Sequence, residues 1–341
     1  MKSKVNKLIV ISGPNASGKS NLGVSLAKQL GGEIISADSR QIYKNLNIGS
    51  GKITKKEMMG IPHHCLDIAN PKKIFTAYDY KICAEKAIQK IWQKNKIPII
   101  VGGTGFYIDA VTGRIKLSNI PPNPKLRKRL LTYSATKLFS MLKKLDPKKA
   151  KNIDKNNKVR LVRAIEILRG ERLMFSKSFR SPKKLGLSRS ESFWGENADN
   201  RPALDGTNYR LEKTQGVRPE NILWIGIKRK PEKLKKLIHD RLLRRLRGII
   251  KEIKYLRKNG LSWKRLFDLG LEYRYVSLYL RGMLNKKEMI KKLEAETNQY
   301  AKRQMTYFKR NKEIHWVSSK KEIKKLVPIF IGTKIGRRSA S

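Results

Sequence analysis

The run Gly13-Pro14-Asn15-Ala16-Ser17-Gly18-Lys19-Ser20 constrains what this chain can fold into more than any other feature. It fits the GxxxxGK[ST] pattern, in which glycines let backbone amides turn inward on a phosphate and a helix N-terminus adds partial positive charge. The pattern works only between a buried strand and a helix, and the flanks comply. Lys7 to Ser12 is an apolar, strand-like run, and Asn21 to Leu30 places Leu22, Leu26 and Leu30 at helical spacing. Lys19 is placed to neutralise an outer phosphate, and the Ser20 hydroxyl suits Mg²⁺. Alone, the loop implies only that linked phosphates are held.

The surroundings extend the loop into a sheet. Glu33 to Ala37 reads as a second strand, Tyr78 to Gln93 as a helix, and Ile97 to Val101 as an apolar strand ending in Gly102-Gly103-Thr104-Gly105. Strands alternating with helices predict an α/β fold, a P-loop NTPase-like parallel sheet covered on both faces. At Ile120-Pro121-Pro122-Asn123-Pro124 the composition changes to basic helices, Lys125 to Leu131, Thr136 to Leu145 and Val159 to Leu168. The expected division is a first part of the core over 1–115, an inserted basic helical domain over 116–220, a return to the core over 221–330 and a frayed tail over 331–341. Ser176 to Asn221 holds few aliphatics and is expected to be a mobile loop, because it buries too little to offset its ordering entropy. Ile222 to Ile227 reads as the returning strand. Leu234 to Leu256 reads as an amphipathic helix whose polar face is almost entirely Lys and Arg.

Charge narrows the partner. The 341 residues carry 78 Lys and Arg against 27 Asp and Glu, a net +51 spread over the whole chain. Such an excess points to a polyanion, either nucleic acid or a membrane surface. The apolar run near Met1 is too short and too soon interrupted for a signal peptide or membrane span, so a cytoplasmic protein with no membrane partner is expected. Cys65 and Cys83 form no CxxC pair, which argues against a disulfide framework or a structural zinc site. Adjacent His63, His64 and Cys65 are poorly disposed to converge on one ion.

P-loop hydrolases hold their metal with a carboxylate, commonly at the end of an apolar strand. Here Ile97 to Val101 ends in glycines and Thr104, whereas Asp38 follows the second strand, where open α/β folds bind ligands. On spacing alone Asp38 is as readily a solvated strand-end residue as a base. Arg241 and Arg245 share a helix face and are candidates to clamp phosphates. Trp92, Trp224 and Trp316 read as core, and Phe106-Tyr107 as facing either core or substrate.

Several further segments occur together and in order: Asp38 to Tyr43, Asn47-Ile48-Gly49, His63 to Ile68, Pro98 to Tyr107, Arg160 to Glu166 and Ala301 to Gln304. With the phosphate loop they resemble the tRNA dimethylallyltransferases, also called tRNA isopentenyltransferases, of the IPP transferase family, over residues 8 to about 316. The resemblance implies prenyl transfer from dimethylallyl diphosphate to the exocyclic N6 amine of the adenosine just 3′ of the anticodon, in tRNAs reading codons that begin with U. Asp38 would be the base and Thr104 would support the reacting diphosphate. Gly13, Pro14, Asn15, Ala16, Ser17, Gly18, Lys19, Ser20 and Arg245 would hold that diphosphate, with Mg²⁺ at Ser20. The tRNA anticodon stem-loop would meet Asp38, Ser39, Arg40, Gln41, Thr104, Arg127, Val159, Arg160, Leu161, Val162, Arg163, Arg274, Lys302, Arg303 and Gln304. A monomer is expected. Gly49-Ser50-Gly51-Lys52 departs from the family's Gly-Thr-Ala-Lys, and Gly270 to Arg274 from its Gly-Tyr-Arg. A small-molecule kinase, a prenyltransferase acting on free adenine nucleotides and an RNA-binding nucleotide switch are the alternatives. A kinase explains neither the charge nor the basic C-terminal third, a switch is disfavoured because no Asp ends the apolar strand, and an enzyme for free nucleotides needs neither the helical insert nor Lys302-Arg303-Gln304.

Overall fold

The computed structural model describes residues 6–179 and 221–332. Strand β1 (Lys7–Ser12) enters helix α1 (Lys19–Leu30), and β2 (Glu33–Ala37) is followed by α2 (Lys55–Met58) and β3 (His63–His64). Helix α3 (Ala77–Gln93) then leads into β4 (Pro98–Gly102) and α4 (Gly105–Val111). Helices α5 (Pro124–Leu131), α6 (Ala135–Leu145), α7 (Pro147–Lys151) and α8 (Lys158–Phe179) come next. Strand β5 (Asn221–Ile227) precedes α9 (Pro231–Lys258), α10 (Trp263–Leu269), α11 (Leu271–Leu280) and α12 (Lys286–Phe308). Strand β6 (His315–Val317) and α13 (Lys320–Ile331) complete the described chain.

The six strands form one sheet in the order β3-β2-β4-β1-β5-β6, and every pairing is parallel. Parallel neighbours need crossovers, and the helices that supply them cover both faces. The pleat sends alternate residues of β1 to opposite sides. Leu8 and Val10 join Ile35, Ile88, Ile91, Leu246, Ile253 and Met289 in one core, while Ile9 and Ile11 join Val24, Ile34, Ile99, Ile225 and Val327 in the other. Ile9, Ile11, Ile35 and Ile99 are fully buried. Truncating any of them to Ala is expected to cost about 2–5 kcal/mol, read as a shift in the denaturant midpoint.

The described residues fall into two compact units, one made of 6–115 and 221–332, the other of 116–179. The helical unit packs Leu130, Leu138, Leu142, Ala150, Leu161, Val162 and Ile165 against one another. Its polar centre is Glu166, 1% exposed. Arg127 grips it through Nε to Oε1 at 2.9 Å and Nη2 to Oε2 at 2.7 Å, Arg163 Nη1 adds a bond of 2.5 Å, and the Asn123 N–H donates at 2.5 Å. Glu166→Ala would strip two guanidiniums of their partner. Both reach solvent, so the expected loss is about 1–3 kcal/mol, less than the roughly 3–5 kcal/mol of a fully buried pair.

Helix α8 runs to Phe179, well past the Leu168 end that apolar spacing indicates. Arg169 to Phe179 includes good helix formers (Glu171, Arg172, Leu173, Met174) without an apolar stripe, and propensity rather than periodicity carries the extension. Ser176 to Phe179 are therefore helical; the rest of the expected 176–220 loop, and the tail beyond Gly332, lie outside the described residues. Among the described residues no helix is long and apolar enough to cross a membrane.

Candidate active site

The chain turns from β1 into α1 with Gly13 at φ 148°, Ala16 at φ 60° and Gly18 at φ 95°. Glycine adopts such angles without steric cost, and Ala16 holds one of them as a non-glycine residue. The loop is pinned from several sides. Asn15 N–H donates to Gln304 Oε1 at 2.8 Å, and Asn15 Oδ1 accepts from Ala16 N–H and from Arg241 Nη1, both at 2.9 Å. Arg229 Nε donates to Ser17 O at 3.2 Å, and Lys19 Nζ donates to Pro14 O at 2.6 Å. Burial pushes the Lys19 ammonium down to about 8, opposed by Asp38 and reinforced by Arg241.

Asp38 stands just beyond β2. Its Oδ1 accepts from Arg40 N–H at 2.8 Å and Gln41 N–H at 3.2 Å, which fixes the carboxylate over its own turn. Thr104, just beyond β4, ties the neighbouring strand end to this turn. Its N–H donates to Ala37 O at 3.1 Å, and its Oγ1 accepts from Ser39 N–H at 3.0 Å. Burial pushes the phenol of Tyr300, on α12 near Asp38 and Arg40, up to about 12.

A cleft of about 480 Å³ opens between these parts. Asn15 to Asn21, Asp38, Gln41, Gly51 and Gly102-Gly103 line it, Arg241, Arg244 and Arg245 face it from α9, and Ile34, Ile53, Leu66 and Val101 give it an apolar wall. Arg245 Nη2 is buried there with no hydrogen-bond partner among the described residues. Burial, with Arg241 beside it, holds the pKa of this guanidinium below its ordinary value. An orphaned buried donor beside other cations is what an anionic ligand would satisfy. Asp38 and Glu57 are the carboxylates among the described lining residues, and Glu57 is engaged in the capping box of α2 with Thr54.

The remaining sequence candidates divide. Val159, 72% exposed, and Arg160 face solvent, whereas Leu161 and Val162, at 0% and 4%, belong to the core of the helical unit. Their assignment to a contact surface is corrected: the helical period turns them inward. Arg127 and Arg163 are committed to Glu166. Arg40 Nε donates to Leu269 O at 2.5 Å, and Gln41 Nε2 donates to Gly51 O at 3.3 Å. Arg274 donates to Phe267 O at 3.1 Å and lies over the Phe267 ring. Lys302 and Arg303 are exposed, Arg303 pairing with Glu296 at 2.8 Å. Gln304 is buried, not on the surface expected of it. Tyr107 stacks on Tyr80 in the core while Phe106 is exposed, and Trp224 is buried. His64 bonds Glu33 and His63 bonds Ile61 O, so the two rings have separate partners.

Sequence reasoning missed Arg229, Tyr300 and Glu252. Glu252 is buried on α9, accepts the N–H groups of Asn47, Ile48 and Gly49 and the Tyr273 hydroxyl, and so shapes the loop that ends at Gly51. Its signal was available: it is an acid on the apolar face of a helix whose polar face is basic.

A parallel sheet with a phosphate loop between β1 and α1, arginines converging from a later helix and a carboxylate at the adjoining strand end defines a P-loop α/β scaffold, one that can hold a linked-phosphate ligand beside a carboxylate. A family model described as IPP transferase matches residues 41–311. The chain is 37% identical over 315 residues to tRNA dimethylallyltransferase 1 of Geotalea uraniireducens, covering 91% of this chain and 92% of that one. It is 35% identical to the tRNA dimethylallyltransferase of Lachnoclostridium phytofermentans, with 92% of each covered. The crystal structure of a full-length tRNA isopentenylpyrophosphate transferase from Bacillus halodurans matches with a TM-score of 0.64 at 30% identity, covering 96% of each chain. A eukaryotic dimethylallyltransferase acting on tRNA shares the fold at a TM-score of 0.69 and 24% identity, covering 92% of this chain and 73% of that one. The chain belongs to the IPP transferase family, the prenyl-transferring tRNA dimethylallyltransferases.

Proposed function

We propose that this chain transfers a dimethylallyl group from dimethylallyl diphosphate to the N6 amine of the adenosine just 3′ of the anticodon, in tRNAs reading codons that begin with U. The observation that carries the reading is the joining, in one cleft, of the Lys19 loop, Arg241, Arg245 and Asp38. Loop amides, Lys19 and Arg245 bind the diphosphate and stabilise the negative charge that grows on it as it leaves. The wall of Ile34, Ile53, Leu66 and Val101 suits a five-carbon apolar group and excludes water from it. The adenine amine is a weak nucleophile because its lone pair is delocalised into the ring. Asp38 accepts its proton as the new bond forms, with the carboxylate held by the Arg40 and Gln41 amides. Thr104 braces that turn through Ser39. The adenine leaves its stack to reach the cleft.

The Ser20 hydroxyl and Asp38 carboxylate both line the cleft, and hard oxygen donors beside phosphate oxygens fit Mg²⁺. Ser20 would hold the ion, which supplies charge neutralisation at the diphosphate when bound. The catalytic candidates all lie in one unit of the chain. A cytoplasmic location is inferred from the tRNA acceptor. The exposed Lys and Arg of α9, with Lys302 and Arg303, would grip the anticodon stem-loop through its phosphates, and exposed Arg160 is the helical unit's own candidate for a phosphate contact.

Two measurements test this reading. Lys19 titrates near 8 without ligand, and a bound diphosphate favours its charged form and raises that value. Donor binding should therefore take up a proton, and donor affinity should fall as pH rises through about 8. Calorimetry in buffers of different ionisation enthalpy reads both effects; pH-indifferent binding with no proton uptake would place the diphosphate away from Lys19. For tRNA, log affinity should fall linearly with log salt, with a slope reflecting several phosphate contacts. A flat response would detach the +51 charge from tRNA binding.

A further inference from the structure

Resting on that reading, we propose that Gln304 is a positioning residue for the transfer, locking the phosphate loop and the β4–α4 loop in one register so that leaving group and base face a common point. The side chain rises from α12, 6% exposed, and both ends of its amide are used. Oε1 accepts the Asn15 N–H at 2.8 Å, and Nε2 donates to Gly103 O at 2.9 Å. The orientation is forced by the partners, because a backbone N–H can only donate and a carbonyl can only accept. Ionised Glu lacks the donor, Leu lacks both groups, and Asn is a methylene short.

What the amide joins gives the bridge its consequence. Asn15 belongs to the phosphate loop, and its own carboxamide takes Arg241. Gly103 immediately precedes Thr104, whose hydroxyl holds the Ser39 N–H beside Asp38. One residue thus spans from the loop that grips the leaving diphosphate to the loop that braces the base. The approach is close: a Cβ on Gly103 would lie 2.3 Å from Gln304 Nε2, so the glycine is required by the bridge. The Asn15 N–H, committed to Gln304, is also removed from the set of amides offered to phosphate. Misplacement of reacting groups by about 1 Å can cost on the order of 10²-fold in rate. Losing the bridge should therefore affect the chemical step more than binding.

The test compares Gln304→Leu and Gln304→Glu with wild type in single turnovers, using saturating dimethylallyl diphosphate and unmodified tRNA. Gln304→Leu should lower the rate about 10- to 100-fold, with both dissociation constants within about threefold of wild type. In Gln304→Glu the new carboxyl, buried and therefore raised in pKa, regains a donor for Gly103 O when it is protonated. Its rate relative to wild type should climb as pH falls from about 8 to about 6, whereas the Gln304→Leu ratio stays flat. Wild-type rates in the variants, a loss confined to tRNA affinity, or a flat Gln304→Glu ratio would each overturn the proposal. If Gln304→Leu fails to fold by its unfolding midpoint, the isosteric Gln304→Glu decides alone. Failure of wild type to prenylate tRNA would sink the reading of the reaction, while active wild type with unimpaired variants would sink only the role of Gln304.

Discussion

Lys19→Ala is expected to weaken dimethylallyl diphosphate binding and to reduce prenyl transfer to background. Lys19 lines the cleft, and without ligand its ammonium contacts only the loop's own Pro14 carbonyl among its hydrogen bonds to described residues. Burial lowers its pKa to about 8, because desolvation disfavours the charged form. A diphosphate restores the lost solvation, so the interaction strengthens as charge builds on the leaving group and acts most strongly in the transition state. Removing one such donor typically costs on the order of 10²- to 10³-fold in rate, and the loss of ground-state affinity adds to it. Equilibrium donor binding and initial rates measure the two parts. Wild-type donor affinity together with wild-type rate in Lys19→Ala would remove the phosphate loop from the reaction.

Asp38→Asn should keep donor and tRNA affinity near wild type while lowering the single-turnover rate by about 10²- to 10⁴-fold, the range of a positioned general base. The substitution isolates the proton acceptor because the Asn side-chain oxygen can still accept from the Arg40 and Gln41 amides, so the turn and the Thr104 brace survive. Loss of donor binding with an intact chemical rate at saturation would give a different result: Asp38 would then serve the metal or phosphate site, as a carboxylate beside a P-loop does in kinases.

Much of the core was readable because its signals are local. Lys7 to Ser12 and Glu33 to Ala37 form β1 and β2 with those bounds, since short apolar runs, one followed by Gly13 and the other preceded by Gly31-Gly32, admit few alternatives. The insertion of β4 between β2 and β1 was not readable, because strand order is set by crossovers that no short window contains. The site divides in the same way. The phosphate loop announces itself through glycines and Lys19. By contrast, Gln304, Glu252 and Arg229 act on backbone groups some 200 or more residues away in sequence. Leu161 and Val162 show the converse: their segment reads as a contact surface, although one face of α8 packs into the core of the helical unit. A motif identifies a stretch of chain, and only packing decides which of its side chains are turned outward.

The most direct test of the prenyl-transfer reading is to incubate the protein with dimethylallyl diphosphate, Mg²⁺ and unmodified tRNA, digest the RNA to nucleosides and examine them by mass spectrometry. The expected product is an adenosine carrying one five-carbon unit on N6, mapped to the position just 3′ of the anticodon and absent when the donor, the tRNA or Lys19 is removed. Unmodified adenosine at that position after complete incubation, or prenylation of free adenine nucleotide in preference to tRNA, would contradict the assignment.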